Sequence, residues 1–209
     1  MRDYIFAKQL IYGCLYSFHD LNYLGSLIKS IDHENLLSTW LVLSNDIDKW
    51  NDLSNDVKFP LQKLIYLAKN NNIDKYNEMV LIMLSHQIDD CITDTPYDVS
   101  KVFYELYKYK YKYVSKNLWY MYDDNLNNWV LDEDYVNIKK DISQELRKIF
   151  IERCFFYWNK MGKTIEQNLR DEYDKKGTIT SNISLHLRKS NFITDVITES
   201  KCLFIDEFF

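Results

Sequence analysis

The chain has 209 residues, 46% of them hydrophobic, which is enough for the core of one domain or two small ones and argues against disorder. Only 4 Gly and 2 Pro leave few places to punctuate short strands, which argues against an all-β fold and favours helices. A net charge of -5 excludes a uniformly basic surface, so any contact with nucleic acid must come from a local patch.

The spacing of the cysteines and the length of the apolar runs bear on the cellular location of the protein. The cysteines lie far apart without a CxxC pair, which argues against a zinc site and against a disulfide-rich secreted scaffold; they are Cys14, Cys91, Cys154 and Cys202. The first ten residues carry charges within their apolar run, and no stretch of about 18 uncharged apolar residues occurs. We therefore expect an intracellular protein without a membrane span.

In the first half of the chain, apolar residues at helical spacing predict helices within residues 3–18, within 33–44, after Pro60 and within 76–88. The stretch that follows is rich in turn-forming residues, including Thr93, Asp94, Thr95 and Pro96. We place a module boundary there, with a first module at residues 1–90 and a second at 91–209.

In the second half, a helix is predicted with Asp98 as its cap. After it, the spacing of the apolar and aromatic residues is no longer helical. Two aromatic-rich runs flank a polar turn at residues 123–128, which predicts a β-hairpin. Strand alternation would place Trp119 and Met121 on one face of the hairpin, and Tyr120 and Tyr122 on the other.

Three further helices are predicted after the hairpin. Asp134 is placed to cap a long helix that runs toward Asn159, and Thr180 or Ser181 to cap another. The last helix contains Phe192, Val196 and Ile197, and the chain ends on two phenylalanines, Phe208 and Phe209, which suggests a natural continuation beyond them. The predicted fold class is mainly α: two small helical modules, the second with a β-hairpin.

A basic and aromatic run is the main candidate site. Residues 101–117 contain five Lys and one Glu, and in a strand the alternating Lys and Tyr of residues 108–113 would lie on opposite faces. Such a surface can track phosphates and stack bases. The candidate nucleic-acid-binding residues are Lys108, Lys110, Lys112, Lys116, Trp119 and Tyr120. The alternative is that the aromatic residues form the hairpin core while the lysines face solvent.

Two other patterns are weaker. Gly162, Lys163 and Thr164 spell GKT, but a phosphate-binding loop needs Gly at the position of Tyr157 and a preceding strand, so a helix end is the better interpretation. The residues with metal-binding chemistry lack ligand spacing; they are His19, Asp20, His33, Glu34 and His86. We therefore predict no catalytic residue, no metal and no cofactor, and no ATP hydrolysis by the chain itself.

Residues 59–76, FPLQKLIYLAKNNNIDKY, resemble the C-terminal helical module of viral and plasmid primases. That module ends in an aromatic-Ala-Lys core, then Asn and a Lys-Tyr pair, carried here by Leu64, Tyr66, Ala68, Lys69, Asn72, Lys75 and Tyr76. The upstream segments YGCLYSFHD and TWLVLSND are similar to other helices of the module.

Residues 99–146 resemble the N-terminal region of the poxvirus-type nucleoside triphosphatase domain in primase-helicases of large DNA viruses. That family shows a helix, a basic-aromatic strand, two strands with Trp and a long helix, matched here around Trp119 and Trp129. The tail from Thr180 onward is similar to the helical pair that precedes the helicase core.

The resemblance implies a connector or accessory region between a primase and a superfamily 3 helicase, which positions DNA and ring subunits without catalysis. The implied partners are single-stranded DNA, the helicase core or other replication proteins, and further copies in a ring. The implied location is the host cytoplasm or a viral replication site. The alternative is a stand-alone interaction protein, or a relic, derived from such an enzyme.

Overall fold

The computed structural model describes residues 3–32, 34–91, 93–114 and 117–205. It confirms the mainly α prediction, with helices along the chain and a small antiparallel sheet. The chain divides into two compact units, residues 1–80 with 124–126, and residues 81–123 with 127–209. The division falls between Val80 and Leu81, inside a helix, whereas the sequence places a boundary after residue 90. That a module ends at residue 90 stays a prediction.

The described helices of the first unit are α1 (Asp3–Leu10), α2 (Leu21–Ile31), α3 (Leu37–Ser44), α4 (Ile47–Asp52), α5 (Pro60–Asn71) and the start of α6 (Ile73–Asp89). A π-helical turn, Ile11–Leu15, continues α1. Local chemistry explains where several of them begin. The side chain of Asp20 accepts a hydrogen bond from the backbone N–H of Tyr23, and Pro60 opens α5.

Two tryptophans form the centre of the first unit. Trp40 and Trp50 are fully buried with ring centroids 5.9 Å apart, and Nε1 of Trp40 donates to the carbonyl of Asp46 at 2.9 Å. Helix α2 approaches them at Gly25, where a Cβ would come within 2.4 Å of Leu53 and 2.5 Å of Trp40. Only glycine permits this close approach.

Lys29 of α2 is buried and caps the end of α4. Its ammonium donates to the backbone carbonyls of Trp50 at 2.8 Å, Asn51 at 3.1 Å and Leu53 at 2.7 Å. These carbonyls lie at the C-terminal end of α4, where the helix dipole is negative; that of Trp50 also accepts the backbone N–H of Leu53. One side chain therefore satisfies three acceptors at once.

We expect Lys29→Met to lower the free energy of unfolding by about 2–3 kcal/mol, because it leaves partly buried carbonyls without a donor while keeping the apolar stem. Chemical denaturation would measure the change. The exposed Lys58 provides a control, and Lys58→Met should leave stability nearly unchanged. Equal stability of the two variants would contradict the capping role.

The described helices of the second unit are the end of α6, α7 (Pro96–Tyr107), α8 (Val136–Asp141), α9 (Arg147–Lys163), α10 (Gln167–His186) and α11 (Ser190–Phe204). A π-helical turn, Ile142–Leu146, joins α8 to α9. Helices α9 and α10 pack closely as a helical hairpin, where a Cβ on Gly177 would lie 2.5 Å from Nε1 of Trp158.

The sheet of the second unit has three antiparallel strands in the order β1 (Tyr111–Val114), β2 (Leu118–Asp123) and β3 (Asn128–Leu131). The predicted hairpin is confirmed as β2 and β3, and β1 adds a strand. Trp119 lies opposite Tyr113 and Tyr122 opposite Trp129, so the two faces divide the aromatic side chains as predicted.

The core of the second unit forms around Phe204, the last residue of α11. Its ring lies 5.1 Å from that of Phe103, 5.0 Å from that of Tyr104 and 5.1 Å from that of Trp119, measured between centroids. It therefore joins α7, α11 and the sheet, and all four rings lie in tilted or edge-on arrangements typical of packed aromatic side chains.

Several predicted helix caps are wrong. Helix α7 is capped by Thr95, not Asp98, and the carboxylate of Asp132, not Asp134, accepts the N–H groups of Asn137 and Ile138 at 3.0 Å. Asp134 instead has φ 54° in a short 3-10 turn. The third error concerns Thr180, which begins no helix, because α10 runs unbroken from Gln167 to His186.

Some predictions fall on residues outside the described part of the chain. They concern His33, Lys116, Phe208 and Phe209.

Candidate nucleic-acid interface

The basic and aromatic run does not form one strand. Helix α7 continues to Tyr107, Lys108 is its C-terminal cap, and a turn carries Lys110 before β1 begins at Tyr111. The predicted alternation of Lys and Tyr over residues 108–113 is therefore wrong for its first half. The helix propagates through Lys108 because the backbone N–H of this residue still bonds to the carbonyl of Tyr104 at 2.8 Å.

Two of the candidate lysines are held by carboxylates. Nζ of Lys108 lies 2.7 Å from Oε2 of Glu105, and its side chain is 12% exposed. Nζ of Lys110 lies 2.5 Å from Oδ2 of Asp141, whose side chain is 8% exposed. Each pair is partly exposed, at Glu105 (25%) and at Lys110 (32%), but both ammonium groups are engaged by a carboxylate.

Asp141 is shared by a second donor. The hydroxyl of Tyr111 donates to Oδ2 of Asp141 at 2.6 Å, and the hydroxyl of Tyr107 donates to Glu145 at 3.1 Å. Burial is the main cause that raises the pKa of Tyr111 far above its ordinary value, and the negative charge of Asp141 adds to it. Burial, followed by the charge of Glu145, likewise raises the pKa of Tyr107. Both phenols therefore stay protonated as donors.

The aromatic candidates lie at different depths. Trp119 is fully buried, and its ring contacts Tyr113 at 5.3 Å and Phe204 at 5.1 Å between centroids. Tyr120, on the opposite face of β2, is half-buried. A ring with no exposed surface cannot stack on a base without opening the core, so this position of Trp119 agrees with the packing alternative.

The remaining candidates are Lys112 and Lys116. Nζ of Lys112 lies 4.8 Å from the centre of the Trp129 ring, a cation–π distance. Lys116 lies outside the described residues. Nucleic-acid binding by this region stays a prediction, and the structure brings together Lys108, Lys110 and Tyr111 around internal carboxylates rather than on one open face.

We expect Trp119→Ala to lower the free energy of unfolding by about 3–5 kcal/mol, because it empties a fully buried aromatic site. Urea denaturation followed by circular dichroism would measure it. Tyr120→Ala, on the half-buried face of the same strand, serves as the control and should cost less. A Trp119→Ala variant with full stability and weaker DNA binding would contradict the packing role.

Sequence reasoning missed Asp141, the residue that organises this region. A signal was present, because Asp141 follows Ile138 by three residues and directly precedes Ile142, both fully buried. A carboxylate on the apolar face of a helix needs a buried donor. Lys110 and Tyr111 are the donors to its carboxylate.

The GKT motif lies where the helix-end interpretation placed it. Helix α9 ends at Lys163, and Thr164 follows as its C-terminal cap, with the hydroxyl donating to the carbonyl of Lys160 at 2.8 Å. Among the described residues, no cluster of His, Cys, Asp and Glu has the arrangement of a metal site.

Comparison with known proteins finds similarity to a viral protein at low sequence identity. No protein-family model matches the chain. Over 195 residues, or 87% of the chain, it is 23% identical to a protein of Acanthamoeba polyphaga mimivirus named "Putative helicase L207/L206". The chain spans only 20% of the length of that protein. This similarity supports a distant relationship of the chain to a helicase-related viral family. In the described part of the chain, no helix is long and apolar enough to cross a membrane.

Proposed function

We propose that this chain is a connector region of a viral DNA primase-helicase that works in DNA replication, and that it positions DNA and ring subunits without catalysing a reaction. The observation that carries the proposal is the extent of the similarity. It covers 87% of this chain but 20% of a much larger protein that is named as a helicase. The chain therefore corresponds to one part of a longer protein, which is what a connector region requires.

The geometry of the second unit favours a supporting role. Lys163 of the GKT motif lies at the end of a helix instead of in a loop between a strand and a helix, so the motif does not form a nucleotide-binding loop. The buried carboxylate Asp141 is engaged by Lys110 and Tyr111. The resemblances at residues 59–76 and 99–146 supply the finer part of the proposal, which is the position next to a helicase ring.

The proposed partners follow from this role. They are single-stranded DNA, a helicase core or other replication proteins, and further copies of the chain in a ring. The proposed location is intracellular, in the host cytoplasm or at a viral replication site.

The direct test is a chimera in which this chain replaces the matched segment of the mimivirus protein. We expect the chimera to keep most of the DNA unwinding of the parent, measured in parallel with a fluorescent fork, while the isolated chain hydrolyses no ATP. A parent whose matched segment is replaced by a Gly-Ser linker of equal length is the control. A chimera no better than the linker would favour a stand-alone interaction protein, and ATP turnover abolished by Lys163→Ala would refute the non-catalytic role.

A second test addresses DNA binding by the basic run. Reversing Lys108 or Lys110 to Glu would set two carboxylates together and damage the fold. The test therefore neutralises two other lysines of the run, as Lys112→Gln with Lys116→Gln, and compares the melting temperature with that of the wild type to check that the fold is kept. We expect weaker binding to a single strand and a salt slope reduced by about 0.7 for each phosphate that is no longer neutralised.

The matched control neutralises two exposed lysines elsewhere, as Lys140→Gln with Lys148→Gln. Fluorescence anisotropy over a salt series measures all three proteins. Identical affinity of the Lys112 and Lys116 variant and the wild type at low salt would retire DNA binding by this run.

A further inference from the structure

The end of the α9 and α10 hairpin combines an exposed apolar side chain with basic residues. We define the hairpin tip as residues 160–171. Ile165 is 98% exposed, and it lies in the three-residue connection between the helices. Single exposed apolar residues are common on protein surfaces, so the exposure of Ile165 gains weight only from the residues beside it.

Three basic residues lie near Ile165 along the chain. Lys160, Lys163 and Arg170 are exposed, and within the described chain none of the three forms an ion pair. The acids of the tip are Glu166, which is exposed, and Asp171, which accepts a hydrogen bond from Gln167 at 2.7 Å. Within residues 160–171 three basic residues stand against two acids, in a chain whose net charge is -5, and the exposed acids Glu172 and Asp174 follow directly along α10.

The base of the hairpin is anchored. Arg153 donates to Oδ1 of Asp89 through Nε at 3.1 Å and through Nη2 at 2.7 Å, and the Tyr157 hydroxyl donates to the same oxygen. Farther along, Gly177 lets Trp158 pack directly on the backbone of α10. The tip is thus carried on a pair of helices that are joined to each other and to the end of α6.

We propose that the hairpin tip binds DNA at the junction of a duplex with a single strand. In this arrangement Ile165 inserts against the last base pair, and Lys163 and Arg170 contact the flanking phosphates. The proposal rests on the proposed function, in that a region of a replication helicase meets such junctions. Proteins that unstack DNA insert an apolar side chain between bases and hold the adjacent backbone with basic residues, and the tip has both features.

A protein partner fits the tip less well. Stable protein interfaces bury about 1,200 Å² or more, and their centres are apolar and poor in lysine. Within residues 160–171 the exposed apolar side chains are Ile165 and Leu169, and the exposed rings of Phe155, Phe156 and Trp158 lie on the adjoining part of α9, outside the tip. A narrow end with one projecting apolar side chain matches a base step better than it matches a flat protein surface.

The test measures binding of the full chain to a fluorescent forked DNA and to a single strand of the same length. Ile165→Ser should weaken binding to the fork about fivefold or more, with little change for the single strand, because the inserted side chain acts only at the junction. Lys163→Gln with Arg170→Gln should reduce the salt slope for the fork by about 0.9 for each duplex phosphate that is no longer neutralised.

A variant that removes a negative charge from the tip should have the opposite effect on DNA binding. Glu166→Gln removes a negative charge next to Ile165, so it should strengthen binding to both DNAs. Gly162→Ala is the neutral control, because a Cβ there meets nothing within 4 Å, and its affinity should equal that of the wild type. Equal melting temperatures of all variants would show that the fold is intact, as expected for exposed positions.

Unchanged fork affinity of both Ile165→Ser and the Lys163 and Arg170 variant, in a chain that binds DNA, would overturn this site and leave the proposed function standing. Tip variants that change the sedimentation coefficient but not DNA affinity would assign the tip to a second copy of the chain and also overturn it. A wild-type chain that binds neither DNA would overturn it as well, while the chimera would still decide the connector role.

Discussion

A buried carboxylate needs donors that replace its hydration water, and Asp141 obtains two of them, from the turn after α7 and from the start of β1. Lys110 supplies an ammonium at 2.5 Å and Tyr111 a hydroxyl at 2.6 Å. These hydrogen bonds fix the first residue of β1 against the end of α8. They tie the sheet to α8, and with the pair of Lys108 and Glu105 they engage two lysines of the basic run in internal ion pairs.

The contact between Tyr111 and Asp141 also determines on which face of the sheet the neighbouring aromatic side chains lie. Once Tyr111 is held at Asp141, strand alternation sends Tyr113 to the same face, where its ring contacts Trp119 at 5.3 Å. Phe204 of α11 closes this cluster against α7. An aromatic-rich strand that looks suited to base stacking therefore forms a core, because a three-stranded sheet needs one covered face to be stable in water.

The sequence analysis found most helices whose apolar face repeats, but it missed α2, although Leu24, Leu27 and Ile28 form such a face. Helix α5 shows the repeat and the opening proline, and both are found. The first half of α10 is almost entirely polar, so periodicity fails there. What supports it is one-turn pairing, as between Glu172 and Lys176 at 2.7 Å. The wrong caps have a similar cause: several acidic residues cluster before α8, and only the backbone geometry selects Asp132.

For the candidate sites, too, the sequence pattern indicates one region and the burial of the side chains another. Charge and aromatic content single out the run near β1, but burial, which sequence shows only indirectly, assigns much of it to internal contacts. Exposure instead appears at the hairpin tip, where sequence offers only an ordinary isoleucine between two polar helix ends. A rigid pair of helices that ends in Ile165, Lys163 and Arg170 keeps its charges available because, among the residues that the structure describes, no carboxylate pairs with those cations. In a chain with net negative charge, the basic groups that lie outside such internal pairs, rather than the densest basic run, are those best placed to meet phosphate.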